Sequence, residues 1–348
     1  MKTSSSEAFT FDDVLILPAA SSRVKSRKDV DTGAKLGPFK LGLPIFTASM
    51  AVFDTNYAGN LSPNPKFARA VAEAGGAHIQ SRGINTAFDD RFEMCAKLAA
   101  EGVPVGMAVS LTEYRTHKPR LMRSNGLIVS IDIANGAILE DEDVTDWENH
   151  ENILMAGNFG TPKAVQRFID ARQRLIQKYS VGSGSACTTR GVTGIGSPNA
   201  WLVEQVAGNS RNHLCIDGGI KGTADFCKAL ALGANVVMMG RPFGGVLETC
   251  SPIYAHGGEQ FKDYFGMASA KAKGNSEFVE GTQGRVRYAG EKVAEVFKAY
   301  EQALRSAMSY VDAFTLLEYR QKAEVIRVSG STQLENSTRL DALVVTEG

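Results

Sequence analysis

The chain has 348 residues with 43% hydrophobic content, enough to bury a large core, and its 38 basic side chains balance its 38 acidic ones. A formal net charge of zero gives no support to a nucleic-acid partner. The five cysteines form no CxxC pair and the five histidines form no HxxxH pattern, which argues against a zinc site or a disulfide framework. With no signal-like or membrane-spanning apolar run, these features predict a soluble cytoplasmic protein without a membrane partner.

Short apolar runs recur along the chain, and most are followed by a segment with helical spacing. The eight runs cover residues 43–49, 76–80, 104–110, 127–133, 152–158, 176–182, 213–219 and 235–240. Nearly all are apolar throughout, which is typical of parallel strands covered on both faces, although the sixth contains more polar residues. Helical spacing is found over residues 65–74, 162–177 and 223–232.

This alternation predicts an α/β fold, namely a (β/α)8 TIM barrel with its chemistry at the carboxyl ends of the strands. No change in composition marks a second domain. We therefore expect residues 1–348 to form a single barrel domain that ends in a short C-terminal tail at about residues 331–348.

The loop after the sixth run, VGSGSACTTR at residues 181–190, combines glycines with one cysteine. Gly182 and Gly184 permit backbone conformations closed to other residues, so consecutive amide groups can converge on a phosphate while the Cys187 thiol lies beside it. Taken alone, the same residues also fit a flexible linker with a stray cysteine, because short glycine motifs recur by chance.

Seven segments of the chain form a recognisable set: FTFDDVLILPA (9–19), SRKDVD (26–31), GSGSACTTRGVTGIGSP (182–198), IDGGI (216–220), ALGANVVMMG (231–240), YFGMAS (264–269) and EGTQGRVRYAG (280–290). Together they resemble the inosine monophosphate dehydrogenase and guanosine monophosphate reductase family. The resemblance extends from about residue 9 to residue 329 in the family's order and spacing, so it is more specific than any one motif. It implies a (β/α)8 barrel that binds a purine nucleoside monophosphate and exchanges hydride with a nicotinamide cofactor.

The resemblance also implies a catalytic group. Cys187 would add as a thiolate to carbon 2 of the purine, and Thr189 matches the family threonine that helps to activate ammonia or water. Glu280 matches a family residue that contacts the ring near N1, and its carboxylate can relay a proton to departing ammonia.

The binding residues are likewise implied by matching positions. Those for the nucleotide are Ser49, Met50, Ser185, Asp217, Gly218, Gly219, Gly240, Arg241, Tyr264, Gly266 and Met267, with Asp217 accepting from ribose hydroxyls. Those for NADPH are Arg82, Asp132, Asn135 and Gly136, and the carbonyls of Gly182, Gly184 and Cys187 would hold a monovalent cation such as K⁺. Arg241 stands where relatives usually have a small residue, and it can donate to the phosphate or pair with an acid on the rim.

Three features favour the GMP reductases within this family. Dehydrogenases usually carry a pair of CBS domains between the second helix and the third strand, where this chain has only a short connection. They also place an Arg-Tyr pair on a flap ahead of the EG motif, and residues 270–279 contain no such pair. The segments IDIANG (131–136), ILMAGN (153–158) and VIRVS (325–329) are closer to the reductase forms. The implied reaction is NADPH-dependent reductive deamination of GMP to IMP and ammonia in a homotetramer.

Departures from the family pattern leave other functions open. Ala51 replaces a common aspartate, Arg82 stands where a lysine is usual and cannot readily lose a proton, and the segment from Lys271 to Glu280 is shorter than in relatives. The alternatives are an IMP dehydrogenase without CBS domains that converts IMP to XMP with NAD, a non-catalytic purine nucleotide-binding regulator, and a reductase of another amino-purine nucleotide. The sequence does not separate NADPH from NADH, because it has no GxGxxG motif with a downstream acid.

Overall fold

The structure, a computed structural model, describes residues 7–54, 64–83, 86–144, 147, 151–164, 175–208 and 212–335. Its strands, numbered in chain order, are β1 Val14–Leu17, β2 Ala34–Leu36, β3 Phe39–Leu41, β4 Ile45–Thr47, β5 Ala77–Gln80, β6 Val105–Val109, β7 Leu127–Asp132, β8 Ile153–Phe159, β9 Leu175–Tyr179, β10 His213–Asp217, β11 Val236–Met239, β12 Ile253–His256, β13 Glu259–Phe265, β14 Gln283–Tyr288 and β15 Glu324–Arg327. Strands β4 to β11 form a closed parallel barrel in which β11 pairs with β4. Each of the eight predicted runs coincides with one of these strands, so the predicted (β/α)8 barrel is confirmed.

Helices alternate with the barrel strands and cover them. The α-helices are Ala51–Asp54, Pro65–Glu73, Phe88–Ala100, Leu111–Met122, Asp141–Val144, Thr189–Thr193, Asn199–Val206, Thr223–Ala231, Ala270–Lys273, Val293–Tyr310, Leu316–Lys322 and Gly330–Glu335, and short 3-10 helices span Phe11–Asp13, Arg27–Asp29, Gly136–Ile138 and Arg241–Phe243. The helices predicted over 65–74 and 223–232 are present. Of the helix predicted over 162–177, residues 165–174 lie outside the described part and residues 175–177 belong to β9.

The barrel strands are apolar because both of their faces are covered. All five residues of β6 are buried, and the helix Phe88–Ala100 packs on the barrel through Phe92, Cys95 and Leu98. These three side chains recur every three residues, so they share one face of the helix. Residues 101–104 alone connect this helix to β6, at the junction where the sequence already indicated no inserted domain. Among the helices described, none is both long and apolar enough to cross a membrane.

Two antiparallel additions flank the barrel. Strand β1 pairs with β15, with Val14 opposite Arg327, and so joins the two ends of the described chain. Strands β12, β13 and β14 form a separate sheet in which Tyr264 lies opposite Gly284. Residues 266–282, between β13 and β14, return from this sheet to the carboxyl ends of the barrel strands, where Glu280 and Gly281 meet the loop that follows β9.

A methyl group added at Gly106, in the middle of β6, would collide with both neighbouring strands. A Cβ there would lie 2.5 Å from Ile79 Cδ1 and 2.8 Å from the Ile128 carbonyl oxygen. We expect Gly106→Ala to lower the free energy of unfolding by about 1–3 kcal/mol. The control, Gly330→Ala, has no heavy atom within 4 Å of the added carbon and should change it by less than about 0.5 kcal/mol. Urea midpoints followed by circular dichroism measure both, and equal midpoints would show that the barrel accommodates the added methyl group at Gly106 without cost.

Candidate active site

A cavity of about 770 Å³ opens at the carboxyl ends of the barrel strands. Its lining includes all of the residues predicted for catalysis, nucleotide binding and cation binding, together with two of the four predicted for the cofactor. These are Cys187, Thr189, Glu280, Ser49, Met50, Ser185, Asp217, Gly218, Gly219, Gly240, Arg241, Tyr264, Gly266, Met267, Arg82, Asp132, Gly182 and Gly184. Residues from many separate strand ends therefore converge on one space, as the barrel topology requires.

Cys187 is exposed in this cavity and is held there by pairing between two distant segments. It forms an antiparallel bridge with Gly281. The Thr188 amide donates to the Glu280 carbonyl at 2.9 Å, and the Thr282 amide donates to the Ala186 carbonyl at 2.9 Å. These backbone hydrogen bonds fix the loop after β9 against the segment that leads into β14.

This pairing aligns three reactive side chains. The Cys187 thiol lies 3.2 Å from Thr189 Oγ1, and the Thr189 hydroxyl donates to Glu280 Oε2 at 2.7 Å. A thiol, a hydroxyl and a carboxylate thus form a continuous hydrogen-bonded chain. Such a chain can place a nucleophile beside a proton acceptor, which is the arrangement that covalent catalysis needs.

The two glycine loops beside Cys187 are tied together by one buried side chain. The Asn199 Nδ2 group donates to the carbonyls of Asp217 and Gly218, each at 2.9 Å, and Asn199 Oδ1 accepts from the Ser183 hydroxyl at 2.9 Å. Gly218 has φ +79°, and a Cβ there would lie 2.9 Å from Gly184 Cα. Glycine is therefore required where the loops after β9 and β10 meet.

The end of the cavity near β11 carries the residues predicted to bind phosphate. Ser185 Oγ and Tyr264 Oη lie 3.2 Å apart, and burial raises the pKa of Tyr264 to about 12, so its hydroxyl stays protonated. A Cβ at Gly240 would lie 2.7 Å from Tyr264 Oη, so only glycine permits this approach. Arg241 is exposed, and no acidic side chain among the described residues pairs with its guanidinium. Pairing with a rim acid is thus not observed in the described part of the chain.

Lys178, near the carboxyl end of β9, was not singled out from the sequence. Its side chain is 1% exposed, and its ammonium donates to Asp132 Oδ1 at 2.6 Å and to Asp217 Oδ2 at 3.5 Å. Asp132 ends β7 and Asp217 ends β10, so one ammonium joins two carboxylates from different strands. The sequence signal that could have identified it was a lysine within a strand predicted to be buried, because a buried charge requires a partner of opposite charge.

The charges in this cluster shift one another. Burial alone would lower the pKa of Lys178, but Asp132 and Asp217 raise it and prevail. Burial favours the neutral form of Asp132, yet Lys178 and a 2.6 Å hydrogen bond from Ser49 lower its pKa below the ordinary value. For Asp217, burial raises the pKa, Lys178 opposes this and Asp132 reinforces it, with a net upward shift. The ammonium thus compensates Asp132 more completely than Asp217.

Two residues predicted for the cofactor do not line the cavity. Asn135 uses its side-chain oxygen to accept from the Ala137 amide at 3.0 Å, which begins the short helix Gly136–Ile138. Gly136 is buried against Phe159, and a Cβ there would lie 2.8 Å from the Asn158 carbonyl oxygen. Asn158 itself lines the cavity, and its buried side-chain oxygen has no hydrogen-bond partner among the described residues.

A buried relay underlies the loop that carries Arg82. Thr47 Oγ1 lies 2.6 Å from His78 Nδ1, and His78 Nε2 lies 2.7 Å from Asp54 Oδ1. Asp54 Oδ2 also accepts from the Ser81 amide at 2.8 Å. This last hydrogen bond fixes the backbone at Ser81, one residue before Arg82. The charge of Arg82 helps to lower the pKa of Asp132. No sequence motif marks the relay, because its members lie on separate segments.

Comparison with known proteins agrees with the geometry. The family model for the IMP dehydrogenase / GMP reductase domain matches residues 8–339. The chain belongs to this family. Among its relatives, the GMP reductase of Ligilactobacillus salivarius is 29% identical over 91% of this chain and 96% of its own length. GMP reductases of Enterococcus faecalis and Streptococcus pneumoniae are also 29% identical, covering 92% and 87% of this chain and 96% and 89% of their own lengths.

The environments of the five cysteines predict selective modification of this family member. Cys187 is exposed, whereas Cys95, Cys215 and Cys227 are buried and Cys250 is half-buried. Burial raises the pKa of the other four thiols, to about 12 for Cys227. We expect one equivalent of iodoacetamide at neutral pH to alkylate Cys187 first, because thiolates in accessible positions react fastest. Peptide mass spectrometry measures the sites, with Cys187→Ser as the control, and first labelling of a buried cysteine would contradict the assignment.

Proposed function

We propose that this protein is a GMP reductase that converts GMP and NADPH to IMP, ammonia and NADP⁺ through a covalent intermediate on Cys187. The observation that carries the proposal is the hydrogen-bonded chain from Cys187 through Thr189 to Glu280 inside the cavity. The names of the relatives support the same substrate, and the family match covers both GMP reductases and IMP dehydrogenases. Because all three reactive groups are present and connected, the site also argues against a regulator that has lost its chemistry.

The proposed covalent step begins with the Cys187 thiolate. It adds to carbon 2 of GMP, and Thr189 and Glu280 pass a proton to the amino group, which leaves as ammonia. A nicotinamide cofactor held beside Asp132 and Asn158 would supply the hydride that carbon 2 needs. Cleavage of the bond between carbon 2 and the Cys187 sulfur then releases IMP and returns the electron pair to sulfur. The balanced reaction is GMP, NADPH and two protons giving IMP, ammonium and NADP⁺.

In this proposal the remaining cavity residues bind and orient the two ligands. Asp217 accepts from the ribose of GMP, and Ser185, Gly218, Gly219, Gly240 and Arg241 surround its phosphate. The unpartnered Asn158 oxygen and the Asp132 carboxylate provide acceptors that suit the amide and hydroxyl groups of a nicotinamide nucleotide. Arg82 lies on the same side and contributes positive charge near Asp132.

Several finer assignments belong to the same proposal. We place the enzyme in the cytoplasm, where a reducing environment suits its five free cysteines, and we expect a homotetramer of single-domain subunits. K⁺ would bind the carbonyls of Gly182, Gly184 and Cys187. Gly184 O accepts from the Cys187 amide at 3.0 Å, which leaves its second lone pair for a cation.

Paired assays test the reaction and its direction. We expect GMP with NADPH to give a loss of nicotinamide absorbance that Cys187→Ala reduces by at least about 1,000-fold, because the nucleophile is removed. Glu280→Gln should lower kcat by about 100-fold or more, since proton transfer is lost. The control is Cys250→Ala, which should retain activity. NADH production from IMP and NAD without turnover of GMP would instead identify a dehydrogenase.

A second prediction concerns the phosphate end of the cavity. If Arg241 donates to the phosphate, Arg241→Gln should raise KM for GMP by about 10-fold or more and leave kcat nearly unchanged, because the contact is made equally in the ground and transition states. Arg69→Gln is the control, since Arg69 is an exposed residue that pairs with Glu101. An unchanged KM in the Arg241 variant would show that the phosphate is held without this side chain.

A further inference from the structure

The ammonium of Lys178 is the shared counter-ion of two carboxylates that face one cavity. Lys178 lies at 1% exposure, and the side chains of Asp132 and Asp217 are 17% and 21% exposed. Both carboxylates line the cavity, whereas Lys178 does not appear in its lining. The lysine therefore lies beneath the two acids and separates them from the barrel core.

Lys178 compensates the charges of the two carboxylates unequally. Two carboxylates share one ammonium, whose separations from them are 2.6 Å and 3.5 Å. Ser49 also donates to Asp132 at 2.6 Å, while no side-chain donor other than Lys178 is observed for Asp217 among the described residues. Asp217 thus depends on Lys178 for its charge compensation, and Asp132 competes with it for the same ammonium.

We propose that Lys178 is a positioning residue that keeps Asp132 and Asp217 ready to accept hydrogen bonds from two different ligands at once. The assignment rests on the proposed function, in which Asp217 holds the ribose of GMP and Asp132 faces the cofactor. One buried ammonium then controls the binding of both substrates without contacting the reacting carbon.

A specific consequence follows from the competition. Removing the ammonium leaves two carboxylates in a poorly solvated site, where like charges favour protonation of one of them. A protonated Asp217 donates a hydrogen bond and no longer accepts two. Removing Asp132 in addition relieves the repulsion and returns Asp217 toward its ionised form. A lysine that served only to stabilise the fold would not produce such a recovery.

The experiment measures GMP binding by calorimetry at pH 7.5 without cofactor, for the wild type and four variants. We expect Lys178→Met to weaken GMP binding by about 10-fold or more. The double variant Lys178→Met with Asp132→Asn should bind GMP more tightly than Lys178→Met alone. Asp132→Asn alone should bind GMP at least as tightly as the wild type, because the ammonium then serves only Asp217. Lys178→Arg, which keeps the charge, should retain part of the affinity.

The pH dependence gives a second readout. The charged or titratable groups that interact with Lys178 and its two acids are Cys215, Arg82 and Tyr264. In Lys178→Met the pKa of the acid pair rises, so the GMP affinity lost relative to the wild type should be greatest near pH 6 and diminish toward pH 9. The rate of Cys187 alkylation and the melting temperature report whether the variant is folded. If Lys178→Met does not fold, Asp132→Asn alone still tests the competition.

The outcomes separate the two proposals. Wild-type binding of GMP together with unchanged binding by Lys178→Met would overturn the role of Lys178 and leave the proposed function standing. If Lys178→Met binds GMP more weakly and the double variant shows no recovery, Lys178 has only a structural role and the proposal for it is wrong. Failure of the wild type to bind GMP would overturn both proposals.

Discussion

The short antiparallel pairing between residues 186–188 and 280–282 is the interaction on which the site depends. It joins the loop after β9 to a segment nearly a hundred residues later that leads into the sheet beside the barrel. Without it, Glu280 has no fixed relation to Cys187 or Thr189. The barrel supplies a rigid ring of strand ends, and this backbone pairing places Glu280 beside Thr189 and Cys187 at one of them.

Much of the fold was predictable because parallel barrel strands are covered on both sides and so read as apolar runs. The predicted runs at 104–110 and 152–158 became β6 and β8, which are almost wholly buried, as their composition indicates. Helix limits were less predictable: residues 175–177 have helical spacing yet belong to β9. These residues form a strand because β9 pairs with β8 and β10, and local periodicity gives no information about such pairing.

The site was predictable where motifs keep several residues together, and less so where single residues act from separate strands. The loop 181–190 and the EG motif at 280–281 supplied Cys187, Thr189 and Glu280. Lys178 belongs to no such motif, and in the sequence it is only one polar residue of a weakly apolar run. The family resemblance assigns Asn135 to the cofactor, and the structure adds that its side-chain oxygen caps a short helix. Side-chain direction at a strand end depends on neighbouring loops that spacing does not reveal.

The pairing of β1 with β15 has a consequence for how this barrel can be built into other proteins. Val14 faces Arg327 in the register, so two segments near the two ends of the described chain lie side by side. Both segments belong to a two-stranded ribbon that forms no part of the cavity lining. Domains with adjacent ends tolerate insertion into a host loop and circular permutation. The barrel is therefore suited to modular transplantation, with the loops that line the cavity kept intact.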